Sequence, residues 1–473
     1  MVRAQAGWVT AEAAFGLFGT ILTTFLVSRI IGPAEVGRAA LAGAVVMLAQ
    51  PFVGFCFTNA LVQRAHLSDA DVASALWVSL AIALAMLLPL ATVGLLLPDL
   101  LGLGVGPVLA ALALMLPFNA VEGTANGMLL RRHTFRVLAL RGMGAHLAGL
   151  VAGLSLALAG WGAWAVVGQQ LAFFGTAAAL AAVFARLVPE LTLRPGAIRE
   201  MLPFAATAAL SGLAGRVGFR LFLLLVAGGL PTLAGVLQIA FRIVEVAREL
   251  PSPFVHRYGL PALSRLRTDR AAFLSRLVAL CKLSGLVFAP VFAGLALCAA
   301  EIQITLLGPA WVGIVAPVQV LSVALTFTAF GLPLGMAFLA AGTPKVNLSL
   351  TLGGLALVLV LALLVPGGSG LGAATAWAAM LAAESAAASA FAARRLGFRV
   401  PQQLRAFATA LLPAAATTGA VLGAEAAGVL PGMPPLALLA AKAAVGAVVG
   451  VPLILLLARA AWREVAGPLA GHS

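Results

Sequence analysis

Long apolar stretches separated by short polar gaps make up nearly the whole chain. A membrane-spanning helix needs about 20 predominantly apolar residues, and these stretches reach that length. The pattern predicts an all-α, polytopic membrane protein with about 14 transmembrane helices. The first stretch is too long for a signal-peptide core and is expected to be a retained span. The predicted spans cover residues 8–31, 36–63, 73–97, 106–130, 137–160, 161–185, 201–228, 231–255, 277–300, 311–341, 346–366, 370–393, 404–424 and 434–459.

Arginine and lysine are concentrated in alternate gaps. One basic gap contains Arg131, Arg132 and Arg136, and another contains Arg394 and Arg395. Intervening gaps such as AGWGAW, AGGLPTLAG and VPGGSG contain neither residue type. Short loops rich in Lys and Arg remain in the cytoplasm, so both termini are predicted to be inside. This topology accounts for the formal net charge of +14, and no nucleic-acid partner is expected.

The composition argues against a soluble catalytic domain. Hydrophobic residues make up 62% of the chain and charged residues only 9%. The three cysteines, Cys56, Cys281 and Cys298, lie in apolar runs, without the CxxC pattern or histidine spacing of a metal site. We therefore expect no catalytic residues, no metal and no cofactor, and the chain is not predicted to be an enzyme.

A short internal repeat suggests two related halves. Pro33-Ala-Glu-Val-Gly37 follows the first span, and Pro231-Thr-Leu-Ala-Gly235 follows the seventh. An even number of spans in each copy preserves orientation, which predicts two pseudo-symmetric six-helix lobes around a central cavity. The predicted segments are an N-terminal lobe over 1–190, a C-terminal lobe over 191–400, and a further helix pair with a cytoplasmic tail over 401–473.

The densest ionisable residues within predicted spans lie in the seventh and eighth. Arg216 and Arg220 are four residues apart and share one helix face. Arg242, Glu245 and Glu249 share a face of the next helix. A charge inside a bilayer costs at least about 2.5 kcal/mol, so such residues usually have a function or a partner. One interpretation is a cationic cavity that holds phosphate or pyrophosphate, and the other is a structural ion pair between the two helices.

Other ionisable residues in or beside the spans are more scattered. Arg38 flanks the first outer turn and, like Glu122 in the fourth span, is a candidate to face the cavity. Glu12 lies early in the first span, which has no central arginine. Lys442 in the last predicted span is interpreted as peripheral or paired.

Several segments are similar to motifs of one transporter family. Arg29-Ile-Ile-Gly-Pro33-Ala-Glu-Val-Gly37 resembles an R-x-L-G-P-x-x-x-G motif, and Ala60-Leu-Val-Gln-Arg64 resembles an aLVQR motif. Further similar segments lie at 130–136, 160–167, 260–266 and 307–311. These motifs resemble those of bacterial oligosaccharide flippases, the Wzx-like polysaccharide transporters of the multidrug/oligosaccharidyl-lipid/polysaccharide (MOP) exporter superfamily.

The resemblance implies a multi-pass protein of the bacterial cytoplasmic membrane that moves a polyprenyl-pyrophosphate-linked oligosaccharide to the outer leaflet by alternating access. It also implies contact with membrane lipids, with a polysaccharide polymerase and export machinery, and with a H⁺ or Na⁺ counter-ion. The residues assigned to the pyrophosphate and sugar are Arg216, Arg220, Arg242 and Arg38. The residues assigned to ion coupling or charge balance are Glu245, Glu249, Glu122 and Glu12.

Three other functions are compatible with this pattern. A drug/cation antiporter of the same superfamily would rely on acidic cavity residues, whereas the seventh and eighth spans contain more arginine than glutamate. A membrane-embedded polysaccharide polymerase or glycosyltransferase would need a larger outer loop with paired carboxylates. A non-transporting scaffold for the export machinery differs from a flippase only in its activity.

Overall fold

A computed structural model describes residues 2–53, 55–64, 67–132, 134–187, 190–249, 259–365, 368–430 and 432–466. Within these ranges the regular secondary structure is helical, and no strand occurs. The chain forms two compact units, Met1–Gln238 and Ile239–Ser473. The three predicted segments remain a prediction, because compact units are defined by contacts and the lobes by repeat symmetry.

Long helices in close succession form the first unit. They are α1 (Val2–Val53), α2 (Phe55–Gln63), α3 (Asp69–Leu96), α4 (Val105–Ala113), α5 (Met115–Arg131), α6 (Phe135–Leu158), α7 (Ala163–Ala185) and α8 (Pro195–Ala227). Helix α9 (Pro231–Glu249) contains the division between the units.

The second unit has a similar succession of helices. They are α10 (Arg270–Leu297), α11 (Val315–Thr328), α12 (Leu332–Ala340), α13 (Pro344–Leu364), α14 (Gly370–Phe391), α15 (Val400–Ala426) and α16 (Pro435–Ala466). Between α10 and α11 lie a helical turn, Ala299–Ile302, a π-helical turn, Gln303–Leu307, and a 3₁₀ turn, Pro309–Ile314.

Local sequence explains where individual helices begin. Ser68 caps α3: its hydroxyl accepts a hydrogen bond from the Asp71 amide at 3.3 Å, and its own amide donates to the Asp71 carboxylate at 3.0 Å. This reciprocal pattern is a capping box, and it satisfies donors that the first helical turn leaves unpaired. Asp269 caps α10 by a single hydrogen bond, in which its carboxylate accepts from the Ala272 amide at 3.0 Å.

The two copies of the Pro-x-x-x-Gly repeat contact each other within the first unit. Helix α1 bends at Gly32, whose positive φ of 80° favours glycine. A Cβ atom on Gly37 would collide with the backbone carbonyl of Pro231, and one on Gly235 would collide with that of Pro33. Each copy therefore packs its glycine against the proline of the other, which is the reciprocal pattern of a two-fold contact.

Eleven helical segments of the described residues are long and apolar enough to cross a membrane. The first of them, Ala11–Gln63, includes the bend at Gly32. The predicted all-α membrane architecture is confirmed. The total of about 14 spans and the placement of both termini inside remain predictions.

Candidate functional site

Glu122 on α5 and Arg141 on α6 form a buried ion pair in the first unit. Nη1 of Arg141 lies 2.5 Å from Oε1 of Glu122 and 2.8 Å from the amide oxygen of Asn126. The two charged side chains are only 13% and 15% exposed. Arg141 lies near the start of the predicted fifth span, 137–160, and its pairing with Glu122 was not predicted.

Glycines on α1 and α6 bring Glu12 and His146 close to this pair. A Cβ atom on Gly142 would lie 2.6 Å from Oε1 of Glu12, and one on Gly16 would lie 3.0 Å from Nε2 of His146. The predicted residues Glu12 and Glu122 therefore belong to one polar cluster, which we call the Arg141 cluster. It supplies the first unit with the membrane-embedded arginine that its first span lacks.

Arg220 on α8 is anchored by the following helix. Its Nη1 donates to the side-chain oxygen of Gln238 on α9 at 3.2 Å, and its guanidinium lies 5.3 Å from the ring centre of Phe219. The side chain of Arg216 lies outside the described part of the chain. The predicted shared face of these two arginines therefore remains a prediction.

Arg242, Glu245, Arg248 and Glu249 form a group on α9, which we call the α9 group. Arg242 is 21% exposed and lies 3.3 Å from a carboxylate oxygen of Glu245 and 3.6 Å from one of Glu249. The expected common face of these three residues is confirmed. Arg248 also belongs to the group, since its Nη2 lies 4.0 Å from Glu245. The described ion pairs of Glu245 and Glu249 are to arginines of their own helix. Both interpretations of the arginines on α8, a cationic cavity and a structural ion pair with α9, remain predictions.

Arg38 lies in a different environment, at a pocket of the first unit that we call the outer pocket, because the predicted topology places it on the outer side. Its Nη1 is 2.5 Å from Oε1 of Glu35, and its Nε donates to the carbonyl of Leu103 at 3.0 Å. The second oxygen of Glu35 accepts from the Ala163 amide, the first of α7, at 2.8 Å. The pocket has a volume of about 460 Å³. Arg38 therefore belongs neither to the Arg141 cluster nor to the α9 group.

Lys442 on α16 is paired, as predicted, but it is buried and not peripheral. Its Nζ lies 2.7 Å from Glu301 and 2.6 Å from Glu425, and it donates to the carbonyl of Leu297 at 3.3 Å. Only 7% of its side chain is exposed. Within the described residues, no group of three or more His, Cys, Asp or Glu side chains is arranged to hold a metal ion.

The fold is shared with membrane transporters of known structure. The structure matches the lipid II flippase MurJ in an inward closed conformation with a TM-score of 0.73, covering 98% of this chain and 99% of MurJ at 12% identity. It matches an inward-facing multidrug resistance MATE family transporter of the MOP superfamily with a TM-score of 0.59, covering 84% and 98% of the two chains at 16% identity. At these identities the likeness establishes the fold alone, which this chain shares with these two transporters.

The sequence comparison establishes the family. Residues 26–316 match the family described as polysaccharide biosynthesis protein, and the chain belongs to that family. It is 27% identical over 317 residues to the succinoglycan biosynthesis transport protein ExoT of Rhizobium meliloti strain 1021. That alignment covers 66% of this chain and 63% of the relative, less than two thirds of the relative's length.

These results confirm the family resemblance and locate the protein. The chain is a multi-pass protein of the bacterial inner membrane, as its eleven apolar helices and its family indicate. Its relatives are named as transporters and flippases and not as enzymes, in agreement with the sequence-based prediction.

Proposed function

We propose that this protein moves a polyprenyl-pyrophosphate-linked oligosaccharide from the inner to the outer leaflet of the membrane by alternating access. Three findings support the proposal: membership of the polysaccharide biosynthesis protein family, similarity to a succinoglycan transport protein, and the fold shared with a lipid II flippase. Moving such a lipid requires a polar path, because burying charged and hydroxyl groups without partners in hydrocarbon costs several kcal/mol for each group.

The observation that carries the proposal is that Arg242 of the α9 group is partly exposed and is paired with two carboxylates. Arg242 keeps its guanidinium next to Glu245 and Glu249 without deep burial. Exposed pairs contribute only about 0–1 kcal/mol, so a doubly charged pyrophosphate can replace the carboxylates as partner of Arg242. In this proposal Arg216, Arg220 and Arg242 hold the pyrophosphate, while Glu245 and Glu249 balance the charge of Arg242 when the site is empty.

The proposed coupling site is the Arg141 cluster in the first unit. Glu122 and Glu12 are two carboxylates near one arginine, so uptake of H⁺ or Na⁺ there would neutralise the excess negative charge. Glu12 and Glu122 are the residues proposed to bind the coupling ion. A drug/cation antiporter is the second candidate function, favoured by the same acidic residues and by the MATE-like fold.

Lipid translocation in liposomes tests the proposal directly. The probe is a fluorescent undecaprenyl-pyrophosphate oligosaccharide, and the assay compares wild type, Arg242→Ala, Arg242→Lys and Arg248→Ala with and without a proton gradient. We expect translocation by wild type and by Arg248→Ala, and a loss of about tenfold or more for Arg242→Ala, since hydrogen bonds to charged groups contribute about 1.5–3 kcal/mol. Partial activity of Arg242→Lys would show that charge matters more than the guanidinium fork.

Two results would contradict the proposal. Equal translocation by Arg242→Ala and wild type would show that Arg242 does not bind the pyrophosphate during transport. Absence of lipid translocation together with proton-driven efflux of a soluble cation would identify a drug exporter of the same fold.

A further inference from the structure

The outer pocket of the first unit is formed by three segments that the predicted topology places on the outer side. They are the bend and first turn after Gly32, the start of α4, and the turn between α6 and α7. The pocket is lined by Glu35, Arg38, Trp161 and Trp164 together with small and aliphatic residues. Its volume of about 460 Å³ lies within the range of small-molecule sites, about 300–1,000 Å³.

The charged residues of the pocket are held in fixed positions. Arg38 is bonded to Glu35 and to the Leu103 carbonyl, and Glu35 is bonded in addition to the Ala163 amide. Both side chains are nevertheless partly exposed. Nη2 of Arg38 has no hydrogen-bond partner among the described residues. The pocket therefore offers a ligand a hydrogen-bond donor, Arg38, and an acceptor, Glu35, both held in place before the ligand binds.

The turn between α6 and α7 places two indole rings at the pocket. Trp161 is 58% exposed and Trp164 is 40% exposed. Gly162 has a positive φ of 53°, and a Cβ atom on it would lie 2.7 Å from Oε2 of Glu35. Only a residue without a side chain lets this turn approach Glu35, and that approach brings the tryptophans next to the ion pair.

The neutral ion pair and the two tryptophans together indicate which kind of ligand fits the pocket. Because Glu35 neutralises Arg38 and faces the same space, a phosphate or another strong anion would be repelled by the carboxylate. Because Arg38 neutralises Glu35, a cation has no unpaired carboxylate to bind. A ring with an apolar face and several hydroxyl groups fits both features: its face packs on an indole ring, and its hydroxyls bond to the charged pair. A saccharide has this chemistry.

Tryptophan is also common at membrane interfaces as an anchor in the lipid headgroup region. An anchoring role alone requires neither a cavity lined by both tryptophans nor an ion pair in its wall that backbone groups hold in place. We propose that the outer pocket binds the saccharide part of the lipid-linked substrate on the outer side of the membrane. This inference rests on the proposed flippase function.

Binding of a lipid-free saccharide tests the pocket separately from translocation. The probe is the oligosaccharide released by mild acid from the lipid-linked saccharides of the bacterium that makes this protein, so it lacks both pyrophosphate and polyprenyl chain. Saturation-transfer NMR with the full-length protein in lipid nanodiscs would measure its binding. We expect wild type to bind it, with affinity reduced about tenfold in Trp161→Ala and Trp164→Ala and largely retained in Trp164→Phe.

Leu158→Ala is the matched control. Leu158 is a largely exposed apolar residue at the end of α6, close in sequence to Trp161, but it does not line the pocket. Its replacement should leave saccharide binding unchanged. Gel filtration and thermal melting of each variant would show that the replaced surface residues do not disturb the fold.

Translocation of the lipid-linked form by the same preparations separates the possible outcomes. Translocation by wild type without binding of the free saccharide, or with equal binding by the tryptophan variants, would overturn the pocket assignment and leave the flippase proposal intact. Saccharide binding without any translocation of the lipid-linked form would overturn both the flippase proposal and the assignment of this pocket to its substrate.

Discussion

The second unit contains two ion-pair groups of similar composition in very different surroundings. Lys442 is buried between Glu301 and Glu425, and the second oxygen of Glu301 has no hydrogen-bond partner among the described residues. In the α9 group, Arg242 is partly exposed and its glutamates are about half exposed. The partners of Lys442 come from other parts of the chain, whereas those of Arg242 are three and seven residues away on one helix.

This difference indicates which charges hold the fold together and which are available to a ligand. Removing one partner of a buried ion pair leaves an uncompensated charge and costs about 3–5 kcal/mol. An exposed pair contributes about 0–1 kcal/mol, so its partners can be exchanged at little cost. We therefore infer a structural role for Lys442, and the partial exposure of Arg242 is compatible with the binding role proposed for it, although both lie in apolar parts of the sequence.

The largest expected effect is that of Lys442→Met. The variant would leave Glu301 and Glu425 close together without their shared cation, and we expect a loss of about 3–5 kcal/mol in the free energy of unfolding. Thermal melting of the purified protein in detergent would measure it. The triple variant Lys442→Met/Glu301→Gln/Glu425→Gln removes all three charges and should recover most of the loss. If the single variant melts at the wild-type temperature, the structural role of this group is wrong.

The Arg141 cluster is intermediate in burial between Lys442 and Arg242. Arg141 and Glu122 are mostly buried, but Arg141 keeps a bond to Asn126 when Glu122 is replaced. A double-mutant cycle of Arg141→Met and Glu122→Gln should give a coupling energy of about 0.5–3 kcal/mol, as measured by denaturation or melting. Additive effects of the two replacements would mean that the pair does not stabilise the first unit.

The sequence predicted more of the fold than of the site. Apolar runs predicted the helical membrane architecture, and the repeat of Pro33–Gly37 at Pro231–Gly235 predicted two related segments, which contact each other reciprocally in the structure. Partners on one helix, as for Arg242, follow from helical spacing alone. Lys442 and Glu301 are 141 positions apart, and their contact depends on how distant helices pack.

The same limit applies to the first unit. Arg141 contacts Glu122 only because α5 and α6 lie side by side, and Arg38 lines the same pocket as Trp161 and Trp164 only because three segments converge there. The motif containing the two tryptophans helped to identify the family. It did not reveal a pocket, because sequence shows that a tryptophan follows a glycine but not what the turn packs against.

The two carboxylate partners of Lys442, Glu425 and Glu301, can be compared with each other. The side chain of Glu425 is partly exposed, in contrast to that of Glu301. In Glu425→Ala the buried pair of Lys442 and Glu301 remains, so we expect a loss of less than about 1 kcal/mol. Glu301→Ala would leave Lys442 buried with only an exposed partner and should cost clearly more in the same melting experiment. Equal losses would show that burial does not determine the contribution of each carboxylate.

Arg242→Ala should have the smallest effect on stability and a large effect on transport. Replacement of an exposed side chain usually changes stability by no more than about 0.5 kcal/mol, and Glu245 keeps Arg248 within 4.0 Å when Arg242 is lost. Melting of this variant should therefore match wild type, while translocation of the pyrophosphate-linked probe falls. Lys442→Met should instead lower the melting temperature, and any loss of translocation should be proportional to the loss of folded protein. If Arg242→Ala also unfolds the protein, the partial exposure of the α9 group does not make it available to a ligand, and the pyrophosphate must be held by other residues.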